Sequence, residues 1–254
     1  MPLARDERRR DVSSAVEEGK AFMEAIRTTD ICDQAERLYE PRLVLIGAAG
    51  RNSGKTLLAC DVIEAYAKVY PVYALKIIGI ERAGEECHRG GAGCGMCTNL
   101  SGDFELRKET GENGGKDTAR MLQAGAHRAF LLRSLKSRMA EAFLDFLQRV
   151  PKDALIVCES NSLRLSVRPG VFLFAGAAGE MKPSARAVAI YADYLLPAGE
   201  YAAMRLVQVQ EGADGSLWAR PAEKGRTTEY THFHIKGMQS KRSNAIQGVN
   251  NGNV

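Results

Sequence analysis

The segment LVLIGAAGRNSGKTLLAC, residues 43–60, constrains the fold of this chain more than any other stretch. It begins as a short, branched, apolar run, passes through small residues, and ends in Gly-Lys-Thr ahead of a second apolar run. The first run suits a strand buried on both faces, and the second suits a helix leaving a tight turn. Between them, backbone N–H groups that turn inward make a nest for anionic oxygens, and the following helix adds the positive end of its dipole. Gly50 and Gly54 permit the tight turn, Lys55 is placed to meet β- and γ-phosphates, and Thr56 offers a hydroxyl to Mg²⁺. In the pattern G-x-x-x-x-G-K-[ST] the first glycine falls on Ala49, where a methyl group is the least obstructive replacement. Gly50, Arg51, Asn52, Ser53, Gly54, Lys55, Thr56 and Leu57 are therefore the candidate nucleotide-binding residues, with Thr56 as the magnesium ligand.

The rest of the chain alternates in the same manner. Apolar runs predict strands over 42–47, 71–80, 127–134, 153–160, 170–176 and 193–198. Helices are expected from Gly-Lys-Thr to about Val69, and over 116–126, 135–150 and 184–192. This order predicts an α/β fold: an open, mostly parallel sheet with helices on both faces, three layers in all. The sequence suggests a helical extension over 1–40, with Pro41 resetting the backbone before a main domain over 41–199. Residues 81–115, rich in Gly, Cys, Asn and charge, read as a long functional loop inserted in that domain. An added hairpin is expected within 200–235, turning at GADGS, and 236–254 lack the apolar content to fold.

Charge and composition exclude several classes. Lys and Arg number 35 against 31 Asp and Glu, and the net charge of +4 is too small to mark a nucleic-acid binder. No apolar run reaches the length of a membrane span. The arginine-rich start has no apolar region behind it, so it does not read as an export signal. A cytoplasmic protein with neither membrane nor nucleic acid as partner is expected, its six cysteines being reduced thiols or metal ligands.

Three of those cysteines form a second constellation. CHRGGAGCGMC spaces Cys87, Cys94 and Cys97 as C-x6-C-x2-C in a glycine-rich, hydrophilic loop where core packing has no use for thiols. Such a loop can wrap zinc or an iron–sulfur cluster, and the spacing does not separate the two. A fourth ligand is open among His88, Cys158 and a cysteine of a second subunit. Cys32 and Cys60 read as packing residues, and His232 and His234 as alternate residues on a solvent face. A P-loop enzyme also needs a carboxylate at the end of a neighbouring strand, and Glu159, directly after DALIVC, is that candidate. No N-K-x-D motif follows GVFLFAG, so ATP and GTP both stand as the magnesium-bound nucleotide.

The succession of P-loop, ALKIIG, DFEL and GGKDTARMLQAGA resembles the MobB family, the nucleotide-binding proteins of molybdopterin-guanine dinucleotide biosynthesis. The matching residues are Lys76, Asp103-Phe104-Glu105, Gly115-Lys116-Asp117-Thr118 and Ala124-Gly125-Ala126, followed by the strand ending in Glu159. The resemblance spans roughly residues 42–197, and the Gly-Lys-Asp-Thr segment is its most specific part. The chain departs from the family by inserting the cysteine loop between Lys76 and Asp103, and by carrying ESNS where glutamate-glycine is usual. The resemblance implies a SIMIBI-class P-loop NTPase and a homodimer, with Lys116 and Asp117 near the nucleotide. Asp117 then joins Lys55 and Glu159 as a catalytic residue. The implied function is slow NTP hydrolysis in the service of molybdenum-cofactor or metal-cofactor biosynthesis, with a molybdoenzyme or a cofactor-biosynthesis protein as partner. The residues also allow a metallochaperone NTPase with the cysteine loop holding the cargo metal, a small-molecule kinase, or a nucleotide-sensing adaptor without catalysis.

Overall fold

A computed structural model describes residues 37–50, 52–82, 100–111, 116–176, 181–196 and 206–222. The chain divides into two compact units, Met1–Leu38 and Tyr39–Val254. The first lies outside the described residues except for 37 and 38, and the second carries the fold.

Strand β1 (Leu38–Ala48) leads through the Gly-Lys-Thr loop into α1 (Lys55–Tyr66) and β2 (Val72–Ile80). Then come β3 (Phe104–Lys108), α2 (Asp117–Gln123), β4 (Arg128–Leu135) and α3 (Met139–Leu147). The chain continues through β5 (Leu155–Glu159), β6 (Val167–Ala175), α4 (Pro183–Ala189) and β7 (Tyr194–Leu196), and ends in the pair β8 (Val207–Glu211) and β9 (Leu217–Pro221). Seven strands make one sheet in the order β3-β4-β2-β5-β1-β6-β7. The pairs β1–β5, β5–β2, β2–β4 and β6–β7 are parallel, and the edge strand β3 runs antiparallel to β4. The protein is thus an α/β fold on a mostly parallel, mixed sheet.

Alternation along each strand sorts the core into two layers. Val44, Ile46, Ala74, Ala129, Leu155, Val157, Val171 and Leu173 join Leu58, Val62 and Ile63 of α1 and Met121 of α2 in one buried cluster. Their neighbours along the strands face the other way. There Phe130 stacks with Tyr73 and meets Phe146 of α3 edge-on at a centroid distance of 5.6 Å. Helices therefore cover both faces, α1 and α2 on one and α3 on the other.

Three expectations need correction. Pro41 does not reset the backbone: β1 begins at Leu38 and runs through it. The β1–β5 ladder starts at Leu43, so the missing proline N–H costs no bond to β5. Glu40 and Arg42 stabilise this early stretch as a two-pronged ion pair, with Arg42 Nη1 donating to the Pro151 carbonyl at 2.7 Å. Second, 81–115 is not a single loop, because β3 lies within it and pairs along β4 from Phe104–Ser134 to Lys108–Phe130. Third, α1 stops at Tyr66 rather than Val69, which is exposed.

The hairpin does turn at GADGS, between Glu211 and Leu217. It is stitched into the main core: Val207, Leu217 and Ala219 belong to the α1-side cluster, and Tyr66 Oη donates to the Val207 carbonyl at 2.6 Å. Among the described residues no helix is long and apolar enough to cross a membrane.

Candidate functional site

The carboxyl ends of the central parallel strands converge on the loop that follows β1. In the sheet register Ile46 lies beside Glu159, and Glu159 beside Lys76. These three residues form one row across β1, β5 and β2. Even-numbered residues of β1 and β2 and odd-numbered residues of β5 share the α1 face, so the side chains of Lys76 and Glu159 rise on the side where α1 begins. A parallel sheet binds ligands at this end, where successive connections diverge.

The loop is anchored on two sides. Asn161, just past β5, accepts from the Ala48 N–H at 2.8 Å and donates its amide to the Ala48 carbonyl at 2.9 Å. Past β6, Gly176 lies so close that a Cβ there would meet Ser53 Cβ at 2.7 Å. Within the loop, the Gly50 N–H donates to Ser53 Oγ at 3.0 Å. Gly54 takes φ 81°, the left-handed turn that starts α1, and Asn52 is left-handed too at φ 55°. Ala49 has no positive φ, is buried, and donates its N–H to the Ala175 carbonyl at 3.0 Å. That conformation explains why a methyl group is tolerated where the phosphate-loop pattern has glycine. The Leu58 N–H returns to the Gly54 carbonyl at 2.9 Å, which leaves the N–H groups of the first turn aimed out of the helix.

Around the loop stand four side chains in mutual contact. Thr56 Oγ1 donates to Glu159 Oε2 at 2.9 Å. Lys76 Nζ donates to Glu159 Oε1 at 3.2 Å and also to Asp117 Oδ2. Glu159 is only 5% exposed and Lys76 22%, so this is a half-sealed cluster in which one ammonium faces two carboxylates. Burial alone would lower the Lys76 pKa; the Glu159 charge and the bonds to both carboxylates outweigh it and hold that pKa above its ordinary value. Burial is likewise the largest single effect on Asp117 and works to raise it, but the bond to Lys76, the Lys76 charge, a bond from Thr56 and the Arg120 charge together outweigh it and hold Asp117 below the usual carboxylate range.

Comparison with protein-family models, with curated proteins and with solved structures returns no match.

Of the residues singled out from sequence, Gly50, Asn52, Ser53, Gly54, Lys55, Thr56 and Leu57 lie on this loop and first turn, with Leu57 exposed. Glu159 and Asp117 come together with Thr56 through Lys76, though they are far apart in the chain. Lys116 is exposed at the residue that opens α2. Glu105 pairs instead with Arg107 on the same edge strand and with Arg133 on β4, a structural role. Cys60 is buried on α1, and Cys158 is sealed in the α3-side layer, where burial pushes its thiol well above the ordinary range. A thiol so placed is a packing residue rather than a ligand for a surface loop. Arg51, Cys32, Cys87, His88, Cys94, Cys97, Gly115, His232 and His234 lie outside the described residues. Among the described residues no group of three or more His, Cys, Asp or Glu is gathered to hold a metal.

Two residues of the site were not candidates on sequence. Lys76 announced itself as a lone charge inside the apolar strand YALKIIG, where burial without partners is costly. Asn161 gave no comparable signal beyond the polar run ESNS.

Proposed function

We propose that this chain is a P-loop nucleotide-binding protein of MobB-like type, a slow NTPase that assists in building a molybdenum or other metal cofactor. The observation that carries the reading is the contact of Thr56 with Glu159 at 2.9 Å, at the foot of a glycine loop between a buried strand and a helix. Thr56 follows the Gly-Lys pair, and Glu159 ends the adjacent parallel strand; that combination serves phosphate and magnesium together.

The donor set fits magnesium. A hydroxyl and two carboxylates are hard oxygen ligands, and an ammonium already sits against both carboxylates as a cation of the protein's own. Magnesium takes one or two protein carboxylates and completes its shell with water and phosphate, as Glu159 and Asp117 would allow. Thr56, Glu159 and Asp117 are the residues that would hold it. When bound, magnesium neutralises charge on the phosphate oxygens.

The chain's own groups supply the rest. The N–H groups of the first turn of α1 present partial positive charge to anionic oxygens, and Lys55 adds a full charge at the same point. Asn161 and the close approach of Gly176 keep the loop in its nest shape before any ligand arrives, which lowers the ordering cost of binding. Glu159, at the strand end beside Thr56, would hold the magnesium shell or position water there.

The cofactor-assembly half of the reading rests on the family resemblance and on the spacing of Cys87, Cys94 and Cys97. A calorimetric titration with magnesium ATP and magnesium GTP tests the nucleotide half. Saturable one-site binding of at least one is expected, and heats of dilution alone for both would remove the reading.

A further inference from the structure

We propose that Lys76 is the resident counter-cation of the divalent-metal position: its ammonium pairs with Glu159 and Asp117 and is displaced from them when a divalent cation enters. The inference rests on the nucleotide reading of the site.

The geometry is that of a cation already bound by oxygen ligands. Lys76 Nζ lies 3.2 Å from Glu159 Oε1 and also bonds Asp117 Oδ2, while the second Glu159 oxygen takes the Thr56 hydroxyl at 2.9 Å. The oxygens that a hard divalent ion would use are thus the ones the ammonium occupies. Both cations cannot hold them at once, because charges of the same sign a few ångströms apart in a half-buried site repel strongly.

A lysine at this point also offsets the repulsion between two carboxylates drawn together with Glu159 only 5% exposed, and so holds the oxygens of the ligand set side by side. The backbone of Lys76 is fixed in register between Glu159 on β5 and Leu131 on β4, so displacement is a motion of its four-carbon stem and not of the strand.

The test measures Mn²⁺ alone, by electron paramagnetic resonance, on the full chain without nucleotide. Lys76→Met removes the competing cation and should tighten Mn²⁺ binding about 10- to 100-fold over wild type. Glu159→Gln in the Lys76→Met background should abolish the gain. Equal Mn²⁺ affinity in wild type and Lys76→Met would overturn the proposal. Should Lys76→Met not fold, the wild-type protein carries the test: acetic anhydride labelling, read by mass spectrometry, should modify Lys76 faster in saturating Mn²⁺, while the exposed Lys152 stays constant. An unchanged Lys76 rate overturns displacement. Nucleotide binding by wild type with no gain for Lys76→Met sinks this inference and leaves the nucleotide reading standing. A wild-type protein that binds no nucleotide removes that reading whatever Lys76 does.

Discussion

Glu159→Gln isolates the charge at the centre of the cluster while keeping its shape. The carboxylate is 5% exposed and accepts from Thr56 at 2.9 Å and from Lys76 at 3.2 Å. Stripping one partner from a fully buried ion pair costs about 3–5 kcal/mol. Lys76, however, is 22% exposed and keeps Asp117, and the amide can still accept one bond, so the cost falls to about 1–2 kcal/mol. For a unit of this size that is a drop of about 2–8 °C in Tm. The pH dependence carries the sharper signature. The folded-state pKa of Lys76 is raised: burial opposes the shift, and the Glu159 charge is the largest of the effects that outweigh it. A raised pKa contributes stability that is fully present below the unfolded value, about 10.4, and is lost as pH rises through the folded value. The gap between wild type and variant should therefore hold steady through neutral pH and shrink above about pH 10. Urea unfolding at about pH 7 and about pH 11 reads both ends. A variant within about 0.3 kcal/mol of wild type at neutral pH would refute the contact, and a gap of undiminished size in alkali would refute its ionic character.

Further substitutions probe the surroundings. Asn161→Ala removes both bonds to Ala48 and should cost about 1–3 kcal/mol in urea unfolding, and it should weaken nucleotide binding by calorimetry because the loop loses its anchor. Gly170→Ala would put a Cβ 2.3 Å from the Pro41 carbonyl oxygen and 2.4 Å from that of Ala219; neither is a side chain that can swing aside, so a loss of about 2–4 kcal/mol is expected on thermal unfolding. Serine at Cys87, Cys94 or Cys97 should each lower the metal content of anaerobically purified protein, read by elemental analysis, and full metal in all three would place the site elsewhere.

Much of the architecture was legible because burial writes itself into composition. The strands β1, β2, β4, β5 and β6 are apolar runs without a period, as a sheet covered on both faces requires. The hairpin gave away its turn through GADGS, where Gly215 takes φ 76°. β3 was not legible, because FELRK at the sheet edge carries three charges in five residues and pairs with β4 on one side. Its charge is half of its chemistry: Glu105 meets Arg133, which is buried at 5% exposure. The start of β1 was hidden by Pro41, a residue that breaks a ladder only where its N–H is needed. At the site, the loop, Thr56 and Glu159 could be named from local pattern. Asp117 was expected beside them only through the family resemblance, and local pattern did not show that Lys76 would reach from a third strand to join it to Glu159. A charged residue inside an apolar run marks such a meeting point, but only the register says with whom.

The central claim is that the Gly-Lys-Thr loop binds a nucleotide through Lys55. The most direct measurement is the thermal shift of wild type and Lys55→Ala with magnesium ATP or magnesium GTP at about 100 times the wild-type Kd. Ligand at that level stabilises the native state by about 2.7 kcal/mol, which raises Tm by about 5–11 °C. The expected result is that rise in wild type and a shift below about 2 °C in Lys55→Ala, whose unliganded Tm stays within about 2 °C of wild type. An equal rise in both proteins, or none in wild type, would contradict the claim.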